Sequence, residues 1–134
     1  MTKMLLDKLG PDGEGYMGVS PYSYWYMDEV PMIQAMHAYS KKHHPDVAYR
    51  PSSYMQGWFT GMIYVKLAKL CHEAGLPITG ENLKNMIPKV QNWDTGGLNG
   101  VVSFANSNAT ATGKVYKAQG GKFVAVSDWI KLDE

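Results

Sequence analysis

The segment from Ser52 to Glu73 constrains this chain most. Its apolar residues follow two adjacent helical lines, Tyr54, Trp58, Met62 and Val65 on one and Met55, Phe59, Ile63, Leu67 and Leu70 on the next. Only Lys66, Lys69, His72 and Glu73 form a clear polar face, and all four sit in the second half. A helix whose first half is apolar almost all round is expected to be covered on several sides. Ser52 or Ser53 is the expected N-cap, and Gly75 the terminating residue. Gly57 and Gly61 fall on one face, a spacing that predicts close packing against another helix, in this chain or in a part of the protein outside it.

The flanking pattern predicts a small α+β unit. Leu5, Leu6 and Leu9 read as the last turns of a helix closed by Gly10 and Pro11, and Gly15–Ser20 as a short strand. Met32, Ile33 and Met36 recur at helical spacing over Val30–Lys42, with Asp28 as the expected N-cap and Lys41, Lys42, His43 and His44 at the negative end of the helix dipole. Thr79 caps a shorter helix over Gly80–Ile87, which Pro88 ends or kinks. Strand character follows at Val101–Phe104, Lys114–Ala118 and Lys122–Val126, the last two joined by the hairpin signal Gln119-Gly120-Gly121.

Composition narrows the class of partner. The chain has 134 residues, is 45% hydrophobic and 19% charged, and carries a formal net charge of +1, which gives no electrostatic reason to expect nucleic acid. The single Cys71 lies in the helical stripe and reads as a buried structural thiol. His43 and His44 are adjacent and share no helical face, and His37 and His72 read as polar-face residues, so neither a metal nor a cofactor is expected. No nucleophile elbow, phosphate-cradling loop or paired carboxylate points to catalysis, and the reading is non-enzymatic.

Four features in order carry a family resemblance: the Gly-spaced helix from Tyr54-Met55-Gln56-Gly57-Trp58 to Ala74-Gly75, the helix start Thr79-Gly80-Glu81-Asn82-Leu83, the glycine-led Gly96–Phe104, and the hairpin finishing in Ser127-Asp128-Trp129-Ile130. Together with Glu14–Val19 this order resembles the C-terminal end of type I periplasmic solute-binding proteins of the branched-chain amino acid (Leu/Ile/Val) transport family, from about Leu5 to Ile130. One departure is the turn Asn106–Thr110, where the family often carries a histidine. The resemblance implies an α+β fragment of an α/β type I periplasmic-binding-protein fold, with amphipathic helices packed on a small sheet and a C-terminal hairpin. Two lobes need about 100–150 residues each, so residues 1–134 are expected to form one unit, the C-terminal portion of a two-lobed protein.

That resemblance also implies a function. The parent would be the substrate-binding component of an ABC transporter, delivering an amino acid or small carboxylate to a membrane permease from the periplasm or the cell exterior. Met1–Gly10 has no apolar run long enough for the core of an export signal, so the natural N-terminal part is expected either to lie outside this chain or to be missing from a shortened product. A portion without its opposite wall is expected to expose apolar surface and to self-associate. The alternatives are a free-standing dimeric binding or sensory module of the same fold and a small enzyme.

Two places are candidate ligand contacts. The cluster Tyr22-Ser23-Tyr24-Trp25-Tyr26 offers apolar rings with polar rims, and the resemblance puts it near the hinge and cleft, so Tyr22, Tyr24 and Trp25 are candidates alongside a core-packing reading. The opening turn of the long helix can hold a carboxylate on its free amides, which points to Tyr54 and Gln56, with simple capping by Ser52 or Ser53 as the alternative.

Overall fold

The computed structural model describes residues 2–105 and 110–131. Of the turn noted above, Asn106–Ala109 lie outside the described residues.

Helix α1 (Lys3–Leu9) is capped by the Thr2 hydroxyl, which accepts from the Leu5 amide, and it ends at Gly10 with φ 54°. A short 3₁₀ turn, Gly10–Gly13, leads into strand β1 (Met17–Ser20). Helix α2 (Pro31–His43) starts without a side-chain cap. Val30 rather than Asp28 takes the N-cap position with Pro31 behind it, because a distant loop satisfies a free helix amide: Met32 N donates to the Gly96 carbonyl at 2.9 Å.

Helix α3 (Ser52–Glu73) begins after Pro51, which is the N-cap, so Ser52 and Ser53 lie inside the first turn and cap nothing. Its far end closes as expected, with Gly75 at φ 68° and Leu76 N donating to the Cys71 carbonyl at 2.9 Å. Helix α4 (Gly80–Met86) is capped by Thr79, whose hydroxyl accepts from Asn82 N at 3.2 Å, and Pro88 sits in the 3₁₀ turn Ile87–Lys89 that follows.

The sheet is antiparallel and centred on β2 (Thr112–Gln119). Strand β1 pairs one of its edges; β3 (Lys122–Ala125) and the short β4 (Ile130–Lys131) pair the other. Gly120 and Gly121 have φ 56° and 74°, the left-handed pair that a tight two-residue hairpin requires. The expected strand at Val101–Phe104 does not join the sheet. Instead Val102 bridges Trp93 and Phe104 N donates to Val90 O, so Val102 and Phe104 point inward under α3 while Val101 stays exposed. Side chains there alternate as in a strand, but the backbone pairs with the 90–93 segment rather than with the sheet.

Two cores result. One gathers Trp25, Ile33, Met36, Met55, Phe59, Leu67, Val90, Leu98, Val102 and Phe104 between α2, α3 and the 90–104 loop. The other gathers Leu6, Tyr24, Tyr116, Ala118 and Phe123 between α1 and the inner sheet face. Cys71 is fully buried.

The long helix departs from expectation on one side. Met55 and Phe59 are buried, yet Gly57, Thr60, Gly61, Tyr64 and Val65 are exposed, and a Cβ added at Gly57 or Gly61 would meet nothing within 4 Å. The predicted helix-on-helix contact at these glycines is therefore not made within this chain. Among the described residues, no helix is long and apolar enough to cross a membrane.

Candidate functional site

The segment from Pro21 to Met27 runs as turns rather than as an extended strand, and it connects the two cores. Ser23 anchors it: its amide donates to Leu98 O at 2.8 Å and its hydroxyl to Gly97 O at 2.7 Å. From this anchor the neighbouring rings diverge. Tyr24 enters the sheet core, stacked on Tyr26 at 5.6 Å and Phe123 at 5.4 Å and edge-on to Tyr116 at 4.9 Å. Trp25 enters the helical core, where its indole N–H donates to Ala48 O at 3.1 Å and its ring lies 4.2 Å from His37. Tyr22 is half-buried, edge-on to Phe59 at 6.1 Å, and its carbonyl accepts from Ser20 and Tyr116 hydroxyls.

Burial has a chemical consequence here. Loss of water around the neutral phenols pushes Tyr24 and Tyr116 up to about 12 and raises Tyr22 and Tyr26 above the ordinary value of 10. These four are hydroxyl donors and acceptors, not bases, at neutral pH.

Tyr54 is the residue at which the two sequence candidates meet. Its ring is half-buried and perpendicular to Trp25 at 5.8 Å, with the Arg50 guanidinium 4.7 Å from its centroid. Arg50 is held by its bond to the Ser40 hydroxyl at 3.3 Å, so the cation is fixed over the ring. Gln56 is exposed and two residues on, roughly 200° around the helix from Tyr54, so the two do not share a face. Of the five candidates, Tyr54 and Trp25 touch, Tyr22 packs on Phe59 of the same core, Tyr24 is 1% exposed in the other core, and Gln56 stands apart.

A groove of about 940 Å³ opens along α3 from Ser53 to Lys69. Its floor is the one-turn ladder Tyr54, Trp58 and Met62, continued by Lys66 and flanked by Gly57 and Gly61. Tyr39 of α2 packs on Trp58 at 5.4 Å, and Trp93 stacks on Phe59 at 5.9 Å, so both reach it from outside the helix. Tyr39, Trp58, Lys66, Lys69 and Trp93 were not among the sequence candidates. Trp58 and Met62 carried a usable signal in their spacing, but that spacing describes a core stripe equally well. Among the described residues, no group of three His, Cys, Asp or Glu side chains comes together as a metal site.

No family model and no curated protein sequence matches the chain. Among solved structures, the fold is similar to that of a branched chain amino acid ABC transporter from Thermus thermophilus with bound valine, with a TM-score of 0.79 and 20% sequence identity over 98% of this chain. The match covers 37% of that protein's chain. At this identity the likeness is one of fold: the small α+β architecture matches a fragment of the type I periplasmic-binding-protein fold.

Proposed function

We propose that this chain is the C-terminal portion of a two-lobed solute receptor, the substrate-binding component of an ABC transporter, with residues 1–134 as one unit. The observation that carries this reading is the fold likeness over 98% of the chain to a transporter component solved with an amino acid bound. The ligand is an amino acid or small carboxylate, and the further partner is the transporter's membrane permease, reached by the exported full-length protein.

Ligand contact is assigned to the aromatic wall where residues 22–25 meet the opening turns of α3. Tyr22 and Tyr54 keep part of their surface open and are the proposed direct contacts. Trp25 braces Tyr54 from behind, while Tyr24 lies enclosed by rings in the sheet core. Gln56 offers an exposed amide, but about 200° around the helix from Tyr54 and so away from this wall. A ligand gripped from one side only binds weakly, because affinity in closing receptors comes from both lobes. Titrating the labelled chain with amino acids and small carboxylates should give saturable millimolar shifts centred on Tyr22 and Tyr54. Shifts scattered over the surface with no saturation would sink the assignment, and submicromolar affinity would mean the chain is a complete receptor.

A second reading, a free-standing dimeric module, is favoured by the sheet's outer face. Met17, Val19, Val124 and Val126 are exposed there by 53%, 63%, 43% and 47%, an apolar surface of the kind that drives association. Sedimentation across a concentration series tests the module: a monomer throughout opposes it, whereas a dimer fits it and the receptor portion alike.

A further inference from the structure

The ring of Tyr22 hangs between two peptide planes, and every polar group of those planes is engaged. In the plane before it, the Tyr22 amide donates to the Ser20 hydroxyl at 3.2 Å and the Pro21 carbonyl accepts from Asn99 Nδ2 at 2.8 Å. In the plane after it, the Tyr22 carbonyl accepts from the hydroxyls of Ser20 at 3.0 Å and Tyr116 at 3.3 Å, and the Ser23 amide donates to Leu98 O at 2.8 Å. Peptide planes are rigid, so pinning both leaves the φ and ψ of Tyr22 little freedom. The edge-on contact with Phe59 then directs the ring.

Of these partners, Asn99 reaches furthest along the chain, 78 positions from Pro21. It is itself held firmly. Its amide donates to Thr95 Oγ1 and its carbonyl accepts from the same hydroxyl, both at 3.0 Å. Behind it, Gly100 lies so close to β2 that an added Cβ would stand 3.0 Å from Thr112 Cβ. Asn99 is 2% exposed and Thr95 1%, so bulk water does not compete for these bonds. Only one end of the carboxamide is used: among the described residues, Oδ1 has no hydrogen-bond partner. Turning the amide over would set Oδ1 against the Pro21 carbonyl, acceptor against acceptor, so the donor end is committed to Pro21. A lone buried acceptor is destabilising, and an apolar side chain of similar size would avoid it. Packing alone therefore does not account for an asparagine here.

We infer that Asn99 is a positioning residue for solute binding: from the 95–100 loop it pins the peptide that carries Tyr22, and so presents that ring at the ligand wall. Enclosed as it is, Asn99 acts through Tyr22 and touches no solute itself. The inference rests on the solute-binding reading, in which Tyr22 and Tyr54 are the direct contacts, and adds the group that pre-sets one of them. A ring ordered before binding removes its ordering term from the binding free energy, so loss of the pin weakens binding while the fold stays.

Asn99→Ala in the full chain, labelled at tyrosine, tests it, with L-leucine and 4-methylpentanoate as probes of the amino acid and the plain carboxylate. The expected result is a shifted or broadened Tyr22 ring signal before any solute is added, an unmoved Tyr54 signal, and binding of the responding probe about three- to tenfold weaker. Ser127→Ala is the control, since it removes a bond of similar length, 2.9 Å from Val115 N, within the sheet. It should lower stability without moving Tyr22 or the affinity. In the unsubstituted chain the Asn99 side-chain amide should exchange slowly with solvent. Fast exchange there beside a sharp Tyr22 signal overturns the inference, whether or not the alanine variant folds. A Tyr22 signal unchanged by Asn99→Ala overturns it as well, and so does a moved Tyr22 with unchanged affinity; both leave the receptor reading standing. Response to neither probe in the unsubstituted chain opposes the receptor reading, and the inference falls with it.

Discussion

Trp25 stands perpendicular to Tyr54, with centroids 5.8 Å apart and an interplanar angle of 89°, and so joins the turn after β1 to the first turn of α3. The contact spans two segments far apart in sequence, and it sets the angle at which the groove's first ring is presented. Such edge-to-face pairs contribute about 0.5–1.5 kcal/mol beyond their buried area. A double-mutant cycle with Trp25→Leu and Tyr54→Leu should therefore return a coupling in that range by denaturant unfolding. Strict additivity would mean the two rings are neighbours without being partners.

Glycines at Gly57 and Gly97 should respond to alanine with opposite sign. Gly57 lies in helix α3 with open space around the missing Cβ, so Gly57→Ala should stabilise by roughly 0.5–1 kcal/mol through helix propensity and the unfolded chain. Gly97 has φ 79°, and its added Cβ would approach Val30 Cγ1 at 3.1 Å. Gly97→Ala should destabilise by about 1–3 kcal/mol. Thermal melts of the two variants decide both signs.

Alkaline pH should unfold the sheet side of the molecule. Burial raises Tyr24 and Tyr116 from 10 to about 12, so between those values the unfolded chain releases protons that the folded chain keeps. The unfolded state then binds fewer protons, and stability falls as pH rises. Their contribution is complete below pH 10 and is lost on the way to about 12. Phenolate absorbance at these two positions should appear together with loss of sheet signal. Phenolate formation well before any unfolding would show that the rings are wet.

Tyr26 closes the hairpin onto the central turn. Its hydroxyl accepts from Phe123 N at 2.7 Å and is 3.2 Å from Phe123 O, where it donates. Tyr26→Phe leaves both backbone groups without this partner and should cost about 1–3 kcal/mol. Faster amide exchange at Phe123 is the local readout, and an unchanged rate would show that water replaces the hydroxyl.

The outer sheet face should control solubility. Val19 and Val124 are exposed and lie on opposite edges of the face, which β2 divides. Val19→Lys with Val124→Lys should reduce association without unfolding the chain, because charged edge positions oppose pairing between copies. Sedimentation measures this, and a dimer unaffected by both changes has its interface elsewhere.

Local chemistry was legible wherever a residue's effect acts within a turn or two of itself. Thr79 capped α4, Gly10 and Gly75 ended helices, and Gly120 with Gly121 turned the hairpin, because positive φ and free helix amides are needs that neighbouring residues meet. The resemblance carried by the order of motifs agrees with the fold likeness found by comparison. Asp28 failed as a cap for the converse reason: Met32's amide found its acceptor at Gly96, on a loop no local pattern connects to α2.

The aromatic chemistry of the site was visible as composition and spacing, and tertiary structure decided what each ring does. Tyr24 and Trp25 are adjacent in sequence yet enter different cores, since the turn anchored by Ser23 sends successive side chains to opposite sides. The apolar stripe of α3 determined that something must lie against that helix. Only the packed chain determined which side stayed open, because burial depends on where other elements come to rest, and a helix sequence carries its faces but not its neighbours.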